Sequence, residues 1–397
     1  MNGPLVSAVI PAYNAGPLIE DAVRSALAQT YPHLEVIVVD DGSTDDTCAR
    51  VAAFESRVTL IRQANAGCAA ARNTGIRRSR GTYVASLDAD DVWFPEKIAS
   101  VVQAFEQDDQ AGAVYHWWSF VGIDGKAGPQ IYAPVHNGDV VEPLLMGNFL
   151  SPSAVTIRRT CLDQVGLCDP SVSWGEDYDL FLRMALAGHR FQCVPKTLAR
   201  IRLSDRSMTS NPARQGRGQR AVLDRAFDSD ALPARLRTSQ VRASAYQTLL
   251  VNTAMSCLWR GHLEDARAFL LEGVSIRPEA LERPGFYVGL ALRTLPAGYQ
   301  TWQELTNRMD AVVPRLTGLL HALFATPGLP PEVEARRRIA WSAVWMAFGL
   351  IHAAKRRWSR ATAYFGRSLV DDPLTIPMAL GRGLRGNWRS VRAALGI

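Results

Sequence analysis

The sequence predicts an α/β layer built on a mainly parallel sheet, followed by an all-α domain, and three observations predict it. Short apolar runs alternate with amphipathic stretches from Leu5 to Leu87, and an acidic cluster stands where one of those runs ends. Beyond Gln219 no strand-like run appears, and apolar residues recur at helical spacing. Leu5 to Ile10 is apolar and leads into Pro11-Ala12-Tyr13-Asn14, the pattern of a buried strand leaving a sheet in a turn. Pro17 to Thr30 carries Leu18, Ile19, Ala22, Val23, Ala26 and Leu27 at helix spacing, with Pro17 suited to the first turn. Val36 to Val39 reads as a second buried strand. It ends in Asp40-Asp41-Gly42-Ser43-Thr44-Asp45-Asp46-Thr47, where Ser43 or Thr44 can cap a helix running to about Phe54. Val58 to Ile61 gives a third strand, Ala66 to Arg78 a helix, and Tyr83 to Leu87 a fourth strand.

Past that fourth strand, Ser86-Leu87-Asp88-Ala89-Asp90-Asp91 sets two carboxylates two residues apart. Continued strand geometry projects Asp88 and Asp90 to one side, into the cleft beyond the strand's carboxyl end. Hard oxygen ligands suit Mg2+ or Mn2+, and a pair of carboxylates leaves coordination positions open for phosphate oxygens. The plain alternative is an acidic triplet in a solvated turn. In parallel layers ligands bind beyond the strands' carboxyl ends, so Tyr13, Asn14, Asp41, Arg72 and Asp90 can meet at one edge and outline a nucleotide cleft. Singly, Tyr13 is a rim aromatic, Asp41 a turn former and Arg72 a solvated helix residue. Further on, Tyr178 to Ala187 reads helical, with Leu180, Phe181, Met184 and Ala185 on one face. Glu176 and Asp177 stand at its start, where carboxylates suit the helix dipole, so spacing alone does not separate a structural role from a catalytic one.

A chain of 397 residues exceeds one ordinary core, and two domains are expected. Cys48, Cys68, Cys161, Cys168, Cys193 and Cys257 form no CxxC pair, which disfavours a disulfide framework and structural zinc. With no secretory leader ahead of the first strand-like run, a cytoplasmic protein with reduced thiols is expected. The net charge of +6 divides unevenly: 18 Lys+Arg stand against 24 Asp+Glu up to Ser210, and 26 against 14 after it. A basic half suits nucleic acid, anionic lipid or a phosphorylated acceptor, or is simply an Arg-rich surface; Lys97, Lys126, Lys196 and Lys355 are the lysines of the whole chain.

At this point the residues carry a resemblance. IPAYNAG, the run ALAQTYPHLEVIVVDDGSTDDT, the segment NAGCAAARNTGI and GTYVASLDADDVWFPEKI resemble the amino-terminal half of family 2 inverting glycosyltransferases of the GT-A fold. NFLSPSAVTIRRTCLDQVGLCDPSVSWGEDYDLFLRMALAGHRF is similar to the acceptor-side half of the same family. The resemblance implies a GT-A nucleotide-diphospho-sugar transferase fold over 1–210. It implies that Pro11, Ala12, Tyr13 and Asn14 line the nucleotide pocket, with Tyr13 against the base and Asp41 accepting from the uracil ring nitrogen. Arg72 would sit near the base or the diphosphate. In the Asp88-Ala89-Asp90 motif, Asp88 would contact the ribose or a metal-bound water and Asp90 would coordinate the metal. Asp177 would be the general base, favoured over Glu176 by the resemblance alone. Trp174 could stack on an acceptor sugar or serve as core. The chemistry asks for these types: a metal neutralises the leaving diphosphate, and a carboxylate on the opposite face takes the acceptor's proton. One departure stands out. Family members often carry His after the last strand; here the stretch runs Arg200-Ile201-Arg202-Leu203-Ser204-Asp205-Arg206-Ser207-Met208-Thr209, and Arg202 can neutralise phosphate but cannot ligate metal.

Residues 211–235 read as a linker and 236–397 as an α-helical domain. Gly261 to Phe269 with Pro278, and Arg357 to Phe365 with Pro373, resemble the second helix of a tetratricopeptide hairpin in two copies. Between them, apolar Ile339 to Ala354 is short for a membrane span and is expected to pack as a core helix. The expected function is hexosyltransferase-type transfer from a nucleotide sugar, UDP-sugar foremost, to an acceptor hydroxyl with inversion, using Mn2+ or Mg2+. Bacterial cell-surface polysaccharide or glycoconjugate synthesis is the expected setting. A glycan or lipid-linked acceptor, peripheral membrane or protein contact through the basic helices, and no nucleic acid complete the expectation. The alternative is a non-catalytic sugar-nucleotide-binding or scaffold protein working through its helices. A nucleotidyltransferase would want a basic Gly-rich phosphate loop after the first strand, and the sequence has none there.

Overall fold

The computed structural model describes residues 3–122, 127–131, 134–203, 210–293, 305, 307–354 and 357–371. Two compact units make up the chain, one of Met1–Ser210 with Arg217–Arg242 and one of Asn211–Gly216 with Ala243–Ile397. The first unit opens with β1 (Val6–Ala12), α1 (Gly16–Leu27), β2 (Leu34–Asp40), α2 (Thr47–Ala52), β3 (Thr59–Arg62), α3 (Cys68–Arg78) and β4 (Tyr83–Ser86). It continues with β5 (Val92–Trp93), α4 (Lys97–Gln107), β6 (Ala111–Gly122), β7 (Ala127–Ile131), α5 (Val141–Leu145), β8 (Val155–Arg158), α6 (Arg159–Val165), α7 (Glu176–Leu186) and β9 (Arg190–Leu203). These strands form one sheet in the order β3-β2-β1-β4-β8-β6-β9-β5, with β7 paired to β6.

The strand–helix alternation at the start of the chain gives the parallel half, β3-β2-β1-β4, as expected. Its register sets Ala12 opposite Asp40, so the turns after β1 and β2 leave the sheet at one level. The sheet as a whole is mixed rather than mainly parallel. β8 runs antiparallel to both β4 and β6, while β9 lies parallel to β6 and carries β5 antiparallel on its far side. The physical consequence is that the end of β9 comes to the segment that follows β4.

Helix α3 packs closely on β1 and β2. A Cβ at Gly75 would stand 2.4 Å from Val9 Cγ1 and 3.3 Å from Val39 Cγ2, while Ala71 joins Ile37 and Val39 in a small core. The helix capping expected of Ser43 or Thr44 is not what they do. Helix α2 starts at Thr47, and the hydroxyls serve the turn after β1 instead: Asn14 N–H donates to Ser43 Oγ (2.9 Å), and Ala15 and Gly16 N–H donate to Thr47 Oγ1 (2.9 and 2.8 Å). That turn holds Asn14 at φ +48° and Gly16 at φ +35°, so its amides have no strand partner and need side-chain acceptors.

The segment read as a linker is helical for most of its length. Helix α8 (Pro212–Asp228) has Pro at its first position and buries Ala213, Val222, Leu223 and Ala226, which a solvated linker would leave exposed. Residues 217–228 of α8 belong to the first unit; the second holds most of α9 (Ser239–Trp259), then α10 (Leu263–Ile276), α11 (Pro284–Arg293), α12 (Met309–Phe324), α13 (Pro331–Glu334), α14 (Arg337–Ala354) and α15 (Trp358–Asp371). Ile339 to Ala354 packs as a core helix: Ala340, Ala343, Val344, Ala347, Phe348 and Ile351 are buried among Leu316, Leu320, Leu290 and Tyr287. Among the described residues no helix is long and apolar enough to cross a membrane. Both repeat segments are helical, as α10 and α15, whereas Pro373 lies outside the described residues.

Because Gly75 has no room for a side chain, Gly75→Ala should lower the free energy of unfolding by about 1–3 kcal/mol through overpacking against Val9. Urea denaturation checks this, as a lowered midpoint with unchanged slope.

Candidate active site

The exposed part of the Pro11–Asn14 stretch is its end. Pro11 and Ala12 are buried within β1, while Tyr13 is 52% exposed and Asn14 is also exposed. Asn14 is fixed by Thr44 N–H, which donates to its Oδ1 (2.8 Å). Asp41 is buried and holds the loop that leads into α3: its Oδ1 accepts from Gln63 Nε2 (2.7 Å) and Ala66 N–H (3.0 Å), and its Oδ2 from Gly67 N–H (2.8 Å). A carboxylate oxygen has two acceptor sites, so Oδ2 retains capacity for one further donor.

The acidic motif does not lie on a strand. β4 ends at Ser86, and Asp88 to Asp91 form a turn closed by Asp91 N–H donating to Asp88 O (3.0 Å). The argument from strand alternation therefore fails, because the chain must turn at the sheet edge before β5. The turn itself draws the carboxylates together. Burial, and then the charge of Asp88, push the Asp90 carboxyl up to about 6. Burial also raises Asp88, with Glu176 adding to the effect and Arg72 opposing it. Among the described residues no other residue's side chain donates a hydrogen bond to the Asp90 carboxylate, which accepts from its own backbone N–H, and a half-buried carboxylate with so few donors fits a divalent cation. Asp88 and Asp90 are the oxygen donors available to it; no group of three or more His, Cys, Asp or Glu among the described residues is arranged to hold a metal unaided. Asp91 is occupied otherwise, by Ser153 Oγ at one oxygen and by Arg202 N–H (2.9 Å) at the other.

Arg202, near the end of β9, reaches this turn. Its Nε donates to Asp90 O (3.1 Å), and it pairs with Asp21 of α1 at 3.3 Å. The stretch Ser204 to Thr209 lies outside the described residues.

Arg72 is not a solvated helix residue. It is 4% exposed, and it ties Asp88 (3.1 Å) to Glu176 (3.4 Å), the first residue of α7. Burial works against its charge, and the carboxylates of Asp88 and Glu176 hold the guanidinium protonated. The next residue of α3 fixes the approach to α7: Asn73 Nδ2 donates to Cys168 O (2.7 Å) and its Oδ1 accepts from Cys168 N–H (3.0 Å). Trp174 is half-buried at φ +67°, a strained setting for a bulky residue. Asp177 follows Glu176 in the first turn of α7. Burial, and then Glu176, push its carboxyl up to about 6, against the pull of Arg72. A cavity of about 20 Å³, room for about one water, lies beside it, lined by Arg72, Val84, Cys168 and Phe181. The acidic turn after β4, Arg72 and the start of α7 are thus joined. Asn73, Asp91, Ser153 and Cys168 were not anticipated; all four stand inside the quoted motif segments, but a hydrogen bond between distant segments leaves no periodic trace in a sequence.

Residues 7–155 match the Glycosyl transferase family 2 profile. The Bacillus subtilis protein named for teichuronic acid biosynthesis, the glycosyltransferase TuaG, is 32% identical over 213 residues, covering 52% of this chain and 82% of TuaG. The chain belongs to glycosyl transferase family 2. Two proteins named as uncharacterised glycosyltransferases, from Rickettsia prowazekii and Rickettsia typhi, are 32% and 30% identical, and the chain spans 58% of the length of each. Among solved structures, the mannosyltransferase PcManGT of Pyrobaculum calidifontis, in complex with GDP-Man and Mn2+, has a TM-score of 0.51 at 23% identity, covering 79% of this chain and 87% of that one. Residues 1–349 of S. aureus TarS, in complex with UDP, have a TM-score of 0.50 at 18% identity, covering 77% of this chain and 92% of that one. These two likenesses show the family's GT-A type of fold.

Proposed function

We propose that this family 2 glycosyltransferase moves a sugar from a UDP-sugar to an acceptor hydroxyl with inversion, as a hexosyltransferase in bacterial surface-polysaccharide or glycoconjugate synthesis. The observation that carries the reading is the Arg72 bridge, which joins a carboxylate of the donor-side turn to the helix start that bears Asp177. In this reading Tyr13 lies against the base, Asn14 and the turn after β1 border it, and the free acceptor site of Asp41 takes the uracil N–H. Asp90, with Asp88, holds Mn2+ or Mg2+, which when bound neutralises charge on the leaving diphosphate. Asp177 takes the proton of the acceptor hydroxyl, and a carboxyl near 6 is mostly ionised at neutral pH yet still basic enough for the task. Arg72 keeps the charge of Asp88 and Glu176 compensated before substrate arrives. Trp174 borders the acceptor side. TuaG is named for teichuronic acid biosynthesis, TarS was solved with UDP, and PcManGT was solved with Mn2+, which agree with this assignment. The basic carboxyl-terminal half, with 26 Lys+Arg against 14 Asp+Glu, suits docking on the anionic inner face of a membrane where a lipid-linked acceptor resides.

Asp177→Asn should abolish transfer while leaving UDP affinity within about threefold, and Asp90→Asn should lose transfer together with its metal dependence. In the wild type, kcat/KM should fall about tenfold per pH unit below about 6, because Asp177 must be ionised to act and protonates as the pH drops through its raised value. Calorimetry with UDP and an assay of released nucleoside diphosphate check these outcomes; loss of UDP binding in Asp177→Asn would put that residue on the donor side. For the membrane reading, co-sedimentation with anionic vesicles should be strong at low salt and lost at high salt; equal binding to neutral vesicles would contradict it.

A further inference from the structure

We propose that Ser153 and Asp91 form a positioning clamp that shapes the Asp88–Asp90 turn for its divalent cation, with Trp93 and Lys97 bracing the clamp from behind. This inference rests on the metal reading of that turn. Its starting point is a mechanical problem. Since β4 ends at Ser86, the two carboxylates that would hold the cation hang on a turn with no ladder hydrogen bonds of their own. A cation tolerates little misplacement of its ligands, so the turn must be held by something outside it.

Ser153 supplies the hold. It is fully buried in the 3₁₀ turn Pro152–Ala154 that leads into β8. Its Oγ accepts from Asp88 N–H (3.0 Å) and donates to Asp91 Oδ2, so one hydroxyl grips the motif on both sides of Asp90. Asp91 Oδ1 accepts from Arg202 N–H (2.9 Å), which anchors the same turn to β9. Both oxygens of Asp91 are thereby engaged by protein donors, and the third carboxylate of the triplet acts as a tie rather than as a ligand. Behind the clamp, Trp93 Nε1 donates to Ser153 O (2.8 Å) and Trp93 N–H donates to Ser25 Oγ (3.1 Å). The face of the Trp93 ring carries Lys97 Nζ, 3.9 Å from the ring centroid, and that nitrogen also donates to Thr156 Oγ1 (2.9 Å) on β8. Lys97 and Thr156 are fully buried, so the brace is dry and its parts have little freedom to rearrange.

The test is direct titration of the full chain with Mn2+ in the presence of UDP, followed by electron paramagnetic resonance of the free ion. Ser153→Ala removes the grip and leaves every carboxylate in place; its Mn2+ dissociation constant should rise on the order of tenfold. Transfer by this variant should show a raised KM for Mn2+, with kcat recovered once the metal saturates. Ser153→Thr, which keeps the hydroxyl, should bind Mn2+ close to the wild-type strength. Trp93→Phe keeps an aromatic face near Lys97 and removes the indole N–H together with part of the ring system, so it should shift Mn2+ binding in the same direction by a smaller factor. That variant also decides the matter should Ser153→Ala fail to fold. Unchanged Mn2+ affinity in Ser153→Ala and Trp93→Phe, with a lowered melting temperature, would make these residues ordinary core and overturn the clamp. Absence of Mn2+ binding in the wild type would overturn the metal reading and the clamp with it, so the two failures are distinct.

Discussion

A guanidinium that is 4% exposed is tolerable only while carboxylates meet it, and Arg72 meets two that are far apart in the chain. Asp88 belongs to the turn after β4 and Glu176 to the start of α7. Arg72 itself rides on α3, whose position is fixed by the close approach of Gly75 to Val9. Backbone packing on the sheet therefore sets where the charge stands, and the charge sets how near the acidic turn after β4 and the helix bearing Asp177 come to each other. The same bridge tunes the carboxyls. It opposes the rise that burial and mutual repulsion impose on Asp88 and Asp177, and leaves Asp177 near 6, where a proton can be both taken and released.

Much of this unit is legible in the sequence because its elements are strongly patterned. The runs at Leu5–Ile10, Val36–Val39, Val58–Ile61 and Tyr83–Leu87 fall on β1 to β4, and the register of β1 on β2 brings the turns after these two strands out at one level. What is not legible is contact between segments. Ser43 and Thr44 have the chemistry of helix caps, yet the unpartnered amides of the Asn14–Gly16 turn take the hydroxyls of Ser43 and Thr47. Asp88 and Asp90 come together through a turn rather than through strand alternation, since an apolar run does not say at which residue the sheet releases the chain. The mixed character of the sheet is hidden for a related reason: β8 follows no crossover helix of the kind that enforces parallel pairing, and it enters between β4 and β6 in the opposite sense.

In the helical unit, single-helix features are the readable ones. Ile339–Ala354 is a core helix, because Ala340, Ala343, Val344, Ala347, Phe348 and Ile351 recur at helical spacing and are buried. The stretch read as a linker is polar in composition, and its helicity depends on the burial of Ala213, Val222, Leu223 and Ala226, four small or medium side chains that weigh little in an average over the segment.

The central claim, that one buried arginine couples the acidic turn after β4 to the start of α7, is tested most directly by a double-mutant cycle on stability. Asp88→Asn and Glu176→Gln, alone and combined, would be compared by urea unfolding at neutral pH. Either single change leaves Arg72 one carboxylate, whereas the pair leaves a buried guanidinium with none. The double variant should therefore lose more stability than the sum of the singles, by about 1–3 kcal/mol. Additivity within about 0.5 kcal/mol would mean that the two carboxylates act independently, and would contradict the account.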